Sequence, residues 1–426
     1  MPGKLLYNLF LFLYSTGIRI ASSWNPKAKK WVAGRRNIFA VINQKLQTTN
    51  RQPQTVWMHC ASLGEFEQGR PLLEELRMDA STGAANELRI VLTFVSPSGY
   101  EIMKDYKEAD HIFYLPVDSP ANAARFMDAV NPSLVLWVKY EYWFYYLQEI
   151  SRRKIPLLLV SGIFRPGQPF FRWYGGIWRQ MLSCFTHFFV QNQESEDLLL
   201  QLGFSSQVSL NGDTRFDRVI EIAEKHQPVP GIDAFCGNSP VLVAGSTWEE
   251  DEIELLHFIN QHPQVKFIIA PHEVDKENLE QVKKRYPISI FYSELISKLQ
   301  PPGSNILIID NVGMLSRLYR YAHITYVGGG FGEDGVHNVL EAAVYGKPVV
   351  FGPVYDKFIE AAGLVEAGGA ISAEGLIKLE ELLNNLLNDE EVRKRKGEAA
   401  RQYVYEHAGA SSKIIQFIQE NRLLTR

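Results

Sequence analysis

The sequence predicts an α/β protein built from two doubly wound domains, and three observations carry that prediction. From Thr55 onward, short apolar runs rich in β-branched and aromatic residues alternate with helix-like stretches, the pattern of parallel strands covered by helices on both faces. The alternation breaks around Gln227-Pro-Val-Pro-Gly-Ile and Gly237-Asn-Ser-Pro, then resumes. A length of 426 residues suits two domains at roughly 100 to 200 residues each. Composition narrows the class further: 46% hydrophobic and 22% charged residues exclude a disordered chain and a multi-span membrane protein. The three cysteines, Cys60, Cys184 and Cys236, contain no C-x-x-C pair, which excludes a disulfide framework and favours a reducing compartment.

The amino end is chemically distinct. Met1 to Gly64 holds nine Lys or Arg and no Asp or Glu, although the whole chain has a net charge of -4. Leu5 to Ile18 is a fourteen-residue stretch without a charge, short for a bilayer span. A cleaved signal peptide, an anchor and a buried helix are the competing readings. One Lys precedes the apolar stretch and five Lys or Arg lie between Lys27 and Arg36; this flank favours an uncleaved anchor whose basic residues meet anionic lipid on the cytoplasmic side. Residues 1–36 are therefore read as the anchor. Residues 37–225 are read as the first doubly wound domain, 226–240 as a linker and 241–426 as the second domain with its C-terminal helices.

Strands are expected in order at Val56–His59, Ile90–Val95, Leu134–Val138, Leu157–Val160 and His187–Val190. In the second half they are expected at Val241–Ala244, Lys266–Ala270, Ile288–Phe291, Ile306–Ile309, Ile324–Val327 and Pro348–Phe351. Because ligands of such sheets bind beyond the carboxyl ends of the strands, the strand-to-helix turns are where chemistry is sought. After the first strand comes His59-Cys-Ala-Ser-Leu-Gly-Glu-Phe-Glu. Gly64 is read as the tight turn and Glu65 as standing at a helix N-terminus. A carboxylate there serves as a base or complements the helix dipole, and Glu67 is a second candidate on another face.

The richest turn is Val327-Gly-Gly-Gly-Phe-Gly-Glu-Asp-Gly-Val-His-Asn-Val-Leu-Glu. Gly328, Gly329, Gly330 and His337 are read as a phosphate loop ahead of a helix starting near Asn338, with Glu341 placed to meet ribose hydroxyls. The spacing is neither G-x-G-x-x-G nor a Walker loop. Arg215, in Asn211-Gly-Asp-Thr-Arg-Phe-Asp, is a cation suited to a phosphate or carboxylate, or else a surface ion pair. Ser246 and Thr247 are further candidate phosphate contacts. Aromatic residues crowd Trp137 to Tyr146 and Phe164 to Trp178; core packing and an acyl-chain surface are both open there.

These motifs resemble a known family, the 3-deoxy-D-manno-octulosonic acid (Kdo) transferases of Gram-negative bacteria, which are inverting GT-B glycosyltransferases. The resemblance spans nearly the whole chain. It rests on the apolar anchor, Ala61-Ser-Leu-Gly-Glu-Phe, Gly212-Asp-Thr-Arg-Phe-Asp, Ala244-Gly-Ser, Pro271-His and Val327-Gly-Gly-Gly-Phe with Gly335-Val-His-Asn-Val-Leu-Glu-Ala. It implies two Rossmann-like domains facing an interdomain cleft, with transfer of Kdo from CMP-Kdo to a tetraacylated lipid A precursor at the cytoplasmic face of the inner membrane. No cofactor, metal or nucleic acid is implied.

Carried over by position, Glu65 corresponds to the general base. Arg215 would stabilise the departing phosphate. Pro271, His272, Val312, Gly313, Met314, Asn338, Val339, Leu340 and Glu341 correspond to the segments that hold CMP. Two positions depart from the family pattern. Pro271-His272-Glu273 stands where many members have Pro-Arg-His, and Lys139-Tyr-Glu141-Tyr-Trp143 stands where many have Glu-x-Glu-Leu-Trp, replacing a carboxylate by an ammonium at a position carried among the catalytic candidates. The alternatives are another GT-B enzyme using a UDP-sugar, whether glycosyltransferase or epimerase, and a catalytically silent nucleotide- or lipid-binding protein at the membrane.

Overall fold

The structure, a computed structural model, describes residues 2–46, 53–82, 88–225, 227–297 and 303–424. Arg51 of the basic amino end and His226 of the expected linker lie outside the described residues. The chain divides into two compact units, Met1–Arg218 with Gly409–Arg426, and Val219–Ala408.

The first unit is built on β1 (Gln54–Cys60), β2 (Leu88–Phe94), β3 (His111–Tyr114), β4 (Leu134–Val138), β5 (Leu157–Gly162), β6 (His187–Val190) and β7 (Val208–Leu210). They form one parallel sheet in the order β3-β2-β1-β4-β5-β6-β7. Successive side chains of a strand face opposite sides, so each apolar run supplies two cores at once. Val56 and Met58 of β1 join Leu134, Leu136 and Val138 of β4 on one face; Trp57 joins Val135 and Trp137 on the other. This explains why the strands read as unbroken apolar runs rather than alternating ones.

The second unit repeats the plan with β8 (Val241–Thr247), β9 (Lys266–Pro271), β10 (Ile290–Phe291), β11 (Ile306–Ile308), β12 (Ile324–Val327), β13 (Val349–Phe351) and β14 (Ala370–Ser372). Its strands are again parallel, in the order β10-β11-β9-β8-β12-β13-β14. In each sheet the chain turns one way from a central strand and later returns beside it to run the other way. These switch points lie between β1 and β4 and between β8 and β12.

Two boundaries differ from the sequence reading. The division falls between Arg218 and Val219, ahead of the expected linker, and the stretch 227–240 carries the helix Ile232–Cys236 inside the second unit. The terminal helix Ala410–Glu420 belongs with the first unit, not the second. Its Ile414, Ile415 and Ile418 complete the core that holds Phe66 and Leu72. The Asp217 carboxylate accepts the backbone N–H groups of Gly409 and Ser411, the latter at 2.6 Å, a charge placed where a helix N-terminus favours one.

The amino end forms the helix Pro2–Ala21, which docks on the first unit by one face. Tyr7 and Leu11 are buried; the Tyr7 hydroxyl donates to Asp118 at 2.6 Å and accepts from the Phe144 backbone N–H at 3.0 Å. The opposite face is bare, with Leu5, Leu6, Leu9, Phe12 and Leu13 all more than half exposed. Among the described residues no single helix is long and apolar enough to cross a membrane; Gly3–Ala21 and Pro26–Gly34 would pass only as a pair, bent by 119°. Arg35 is not available to a lipid surface. Its guanidinium donates to the carbonyls of Leu115, Trp31 and Val95 and lies 4.0 Å over the Trp31 ring. The surrounding apolar mass lowers its pKa to about 10. Lys27, Lys29, Lys30 and Arg36 are exposed.

Candidate active site

In the first unit Glu65 and Lys139 lie just beyond the carboxyl ends of β1 and β4, and Arg215 follows the edge strand β7. The turn Ala61–Ser62 leads from β1 into the helix Leu63–Thr82. Gly64 lies within that helix with open space where a Cβ would stand, so the tight-turn role expected of it is not what the backbone requires. Glu65 sits in the first helical turn, buried. Its carboxylate accepts the Ala61 N–H. Burial pushes the Glu65 carboxyl up to about 7 and the nearby Glu141 charge adds to the rise, while the Ala61 bond, the Lys139 ammonium and the Tyr140 N–H oppose it. Glu67 is drawn outward into ion pairs with Arg70 at 3.3 Å and Arg218 at 3.6 Å. Environment thus separates two carboxylates that spacing could not.

Lys139 follows β4 in a left-handed conformation, φ 57°, which a non-glycine residue adopts at a cost of order 1–3 kcal/mol. Glu141 accepts from the Trp143 indole N–H at 2.9 Å and stands 3.6 Å from His59 Nε2. His59, the penultimate residue of β1, is fully buried; its Nδ1 meets the Thr93 hydroxyl at 2.9 Å, and burial lowers its pKa, so it stays neutral. His59 and Glu141 were not singled out in the sequence, since a histidine inside an apolar strand carries no signal of its own. Arg215 is held by Asp213, through its backbone N–H at 2.9 Å and guanidinium contacts at 2.8 and 2.7 Å. The Thr214 hydroxyl donates to the Gln68 carbonyl, tying this loop to the Glu65 helix.

In the second unit the candidates lie at the carboxyl ends of β8, β9, β11 and β12. The three glycines after β12 have a packing reason. A Cβ on Gly328 would stand 2.4 Å from the Ser246 carbonyl oxygen, and one on Gly330 would stand 2.6 Å from the Gly352 nitrogen. Gly329 has φ 90°, and its N–H donates to Asp251 at 2.8 Å. That buried carboxylate also accepts from Trp248 N–H at 2.9 Å and Tyr326 hydroxyl at 2.7 Å. The anion in the Gly329 cradle is therefore the protein's own, which differs from an open phosphate loop. Asp251 is a residue of this site that the sequence did not reveal. Thr247, an expected phosphate contact, donates to Glu252 at 3.0 Å, while Ser246 takes a left-handed φ of 53° at the β8 end.

Beside this loop three rings stack. Trp248 lies 4.6 Å from His272, and His272 lies 4.4 Å from His337 with only 11° between planes. The Trp248 indole N–H donates to His337 Nε2 at 2.8 Å, so that nitrogen is unprotonated; burial lowers the His337 pKa to about 4. His272 is exposed, directly after buried Pro271. Asn338 accepts the Leu340 N–H at 3.2 Å and donates to Glu341 at 3.0 Å. The helix itself starts at Leu340 and is one turn long, Leu340–Ala343, shorter and later than expected. Val312 is 80% exposed on the turn beyond β11, with Gly313 left-handed at φ 91° and Met314 buried. Among the described residues no group of three or more His, Cys, Asp or Glu is arranged to hold a metal ion.

Residues 36–218 match the family model described as 3-deoxy-D-manno-octulosonic-acid transferase (kdotransferase). Over 387 residues the chain is 24% identical to the 3-deoxy-D-manno-octulosonic acid transferase of Haemophilus influenzae, covering 86% of this chain and 87% of that one. Both likenesses are to Kdo transferases, the first over residues 36–218 and the second at 24% identity. The chain is also 24% identical over 399 residues to a bifunctional glycosyltransferase/methyltransferase of Fusobacterium nucleatum, matching 90% of this chain but only 58% of that longer protein. The fold is that of the GT-B proteins: UDP-GlcNAc 2-epimerase from Neisseria meningitidis superposes with a TM-score of 0.61 at 18% identity, over 86% of this chain and 100% of the other.

Proposed function

We propose that the protein transfers Kdo from CMP-Kdo to a hydroxyl of a tetraacylated lipid A precursor, with inversion at the anomeric carbon and Glu65 as general base. The observation that carries this reading is the Glu65 carboxyl itself, buried at the switch point of the first sheet with its pKa pushed up to about 7. A base poised near the working pH both exists in its ionised form and binds a proton strongly enough to remove it from a hydroxyl. Glu65 takes the acceptor proton as the acceptor oxygen forms its bond to the anomeric carbon, and the bond from that carbon to the CMP phosphate breaks on the opposite face. The Lys139 ammonium, which already favours the charged form of Glu65, and Arg215, held in place by Asp213, supply positive charge near the reacting groups.

The nucleotide is assigned to the second unit. Asn338 and Glu341 offer polar atoms for ribose and base, Val312, Gly313 and Met314 an exposed turn, and His272 an exposed imidazole where many Kdo transferases have Arg. With Gly329 N–H engaged by Asp251, phosphate contacts are assigned to His272 and the loop around Gly330 and His337 rather than to Gly329. The protein is assigned to the cytoplasmic face of the inner membrane, with the helix Pro2–Ala21 lying in the interface. Its docked face and bare apolar face support a surface-lying helix over a spanning one.

The test incubates the protein with CMP-Kdo generated in place and the tetraacylated precursor, in EDTA, and reads the lipid by mass spectrometry. A mass gain of whole Kdo units with CMP released is expected. An unchanged lipid with CMP-Kdo verified would overturn the proposal. Thermal protection by CMP but not UDP is the companion result expected of a CMP-sugar enzyme.

A further inference from the structure

We infer that the segment Arg165–Tyr174 is a second membrane-contact element, which inserts Trp173 and Tyr174 into the interface of an anionic bilayer beside the helix Pro2–Ala21. This rests on the interfacial placement of that helix and extends it to a part of the chain far away in sequence. Trp173 is 92% exposed and Tyr174 57%, their rings edge-on at 5.6 Å. The neighbouring aromatics behave differently: Phe164 and Phe170 are buried. An indole left almost wholly in water, next to aromatics that all found a core, is the expected side chain of a lipid headgroup layer, where an amphipathic ring has an apolar body and a polar edge to satisfy.

Charge agrees. Ser151 to Gln193 contains six Lys or Arg and no Asp or Glu, and of these Arg165 and Arg172 are exposed on the segment itself. The amino end, Met1 to Gly64, is a second long stretch of this kind, with nine basic residues and no acid. The fold brings the two together. A Cβ on Gly3, in the first turn of the amino-terminal helix, would lie 3.3 Å from Ile177 Cβ, and Ile177 follows the exposed pair closely on the helix Gly176–Leu182. Two acid-free segments, adjacent in space and both presenting large apolar side chains, make a surface complementary to anionic lipid. Held at separate points by one rigid unit, they also restrict how the protein tilts on the membrane, which one helix alone would leave free.

The experiment uses the full chain with vesicles of phosphatidylcholine alone and of phosphatidylcholine with phosphatidylglycerol. It compares wild type, Trp173→Phe, and the double variant Trp173→Ala/Tyr174→Ala, with brominated lipid as quencher. We expect preferential binding to the anionic vesicles, quenching of a fluorescence component that Trp173→Phe lacks, and roughly tenfold weaker partitioning of the double variant. Thermal unfolding in solution should be unchanged, since both side chains are exposed. Vesicle binding with no Trp173-dependent quenching and undiminished partitioning of the double variant would overturn the inference while leaving the helix placement standing. Absence of vesicle binding by wild type would overturn both. Conversion of a wild-type dimer to monomer by the double variant, in analytical ultracentrifugation without lipid, would assign the pair to a second copy and overturn it as well.

Discussion

At the scale of single residues, the first unit separates two glutamates two positions apart into different chemistry. Glu67 reaches arginines and stays an ion-pair partner; Glu65 is enclosed and resists ionisation. The sign of the consequence follows. In the unfolded chain Glu65 ionises near its ordinary 4.5, in the folded chain near about 7, so between those values the folded state holds a proton the unfolded state has lost. Stability therefore falls as pH rises through that window, by about 3 kcal/mol at its end. Activity runs the other way, because the base works only when ionised, and transfer should rise about tenfold per pH unit below about 7 and level off above it. Glu65→Gln should lose transfer by at least about 100-fold, keep CMP binding, and unfold at a higher temperature than wild type at pH 8 but not at pH 4. A variant that is inactive yet no more stable at pH 8 would show that the folded carboxyl titrates in the ordinary range. The glutamate was legible as a candidate from its turn; the choice between it and Glu67 was not, since it depends on enclosure by groups distant in sequence.

At the scale of elements, the strands that were legible are those whose apolar runs serve two cores, as β1 and β4 do. The three strands not expected from sequence, β3, β7 and β14, all lie at sheet edges, where a strand has one neighbour and is short: β7 and β14 have three residues each. Edge strands bury less and so leave a weaker pattern. The glycine loop teaches the converse. Three successive glycines were legible, but their cause was not. Backbone crossing backbone requires Gly328 and Gly330, a close approach that any ligand-free fold of this shape would demand. Gly330→Ala should therefore destabilise the protein by about 1–3 kcal/mol without any nucleotide present, read as a fall in the thermal midpoint of the apo protein. Gly332→Ala, whose Cβ would have 3.5 Å to the Gly329 oxygen, should leave that midpoint nearly unchanged. Equal midpoints for the two variants would return the loop to a role in ligand binding alone.

At the scale of the whole molecule, the chain leaves the first unit at Arg218 and comes back to it at Gly409, so the first unit is finished only by the last helix of the sequence. Among the links that hold that return are the Asp217 carboxylate on the N–H groups of Gly409 and Ser411, the Asn211 side-chain amide donating to the Ala410 carbonyl at 2.9 Å, and Ile414, Ile415 and Ile418 in the core beneath the Glu65 helix. A helix that short has little stability of its own in water, so packing is what keeps it in place. Ile418→Asp would put a carboxylate in a site only 2% exposed, with a cost of several kcal/mol unless the helix leaves the core. Leaving uncovers the partners of that helix, including the helix Leu63–Thr82 that carries Glu65. The expected result, by hydrogen exchange with mass spectrometry on the full chain, is faster exchange in Leu63–Thr82 and in β1 and β2, with the strands of the second unit unaffected. Transfer should fall along with that protection, although Ile418 lies far along the chain from every candidate catalytic group. If exchange rose instead throughout Val219–Ala408, the last helix would be a part of the second unit's cooperative structure, and the division at Gly409 would not be the one by which the protein unfolds.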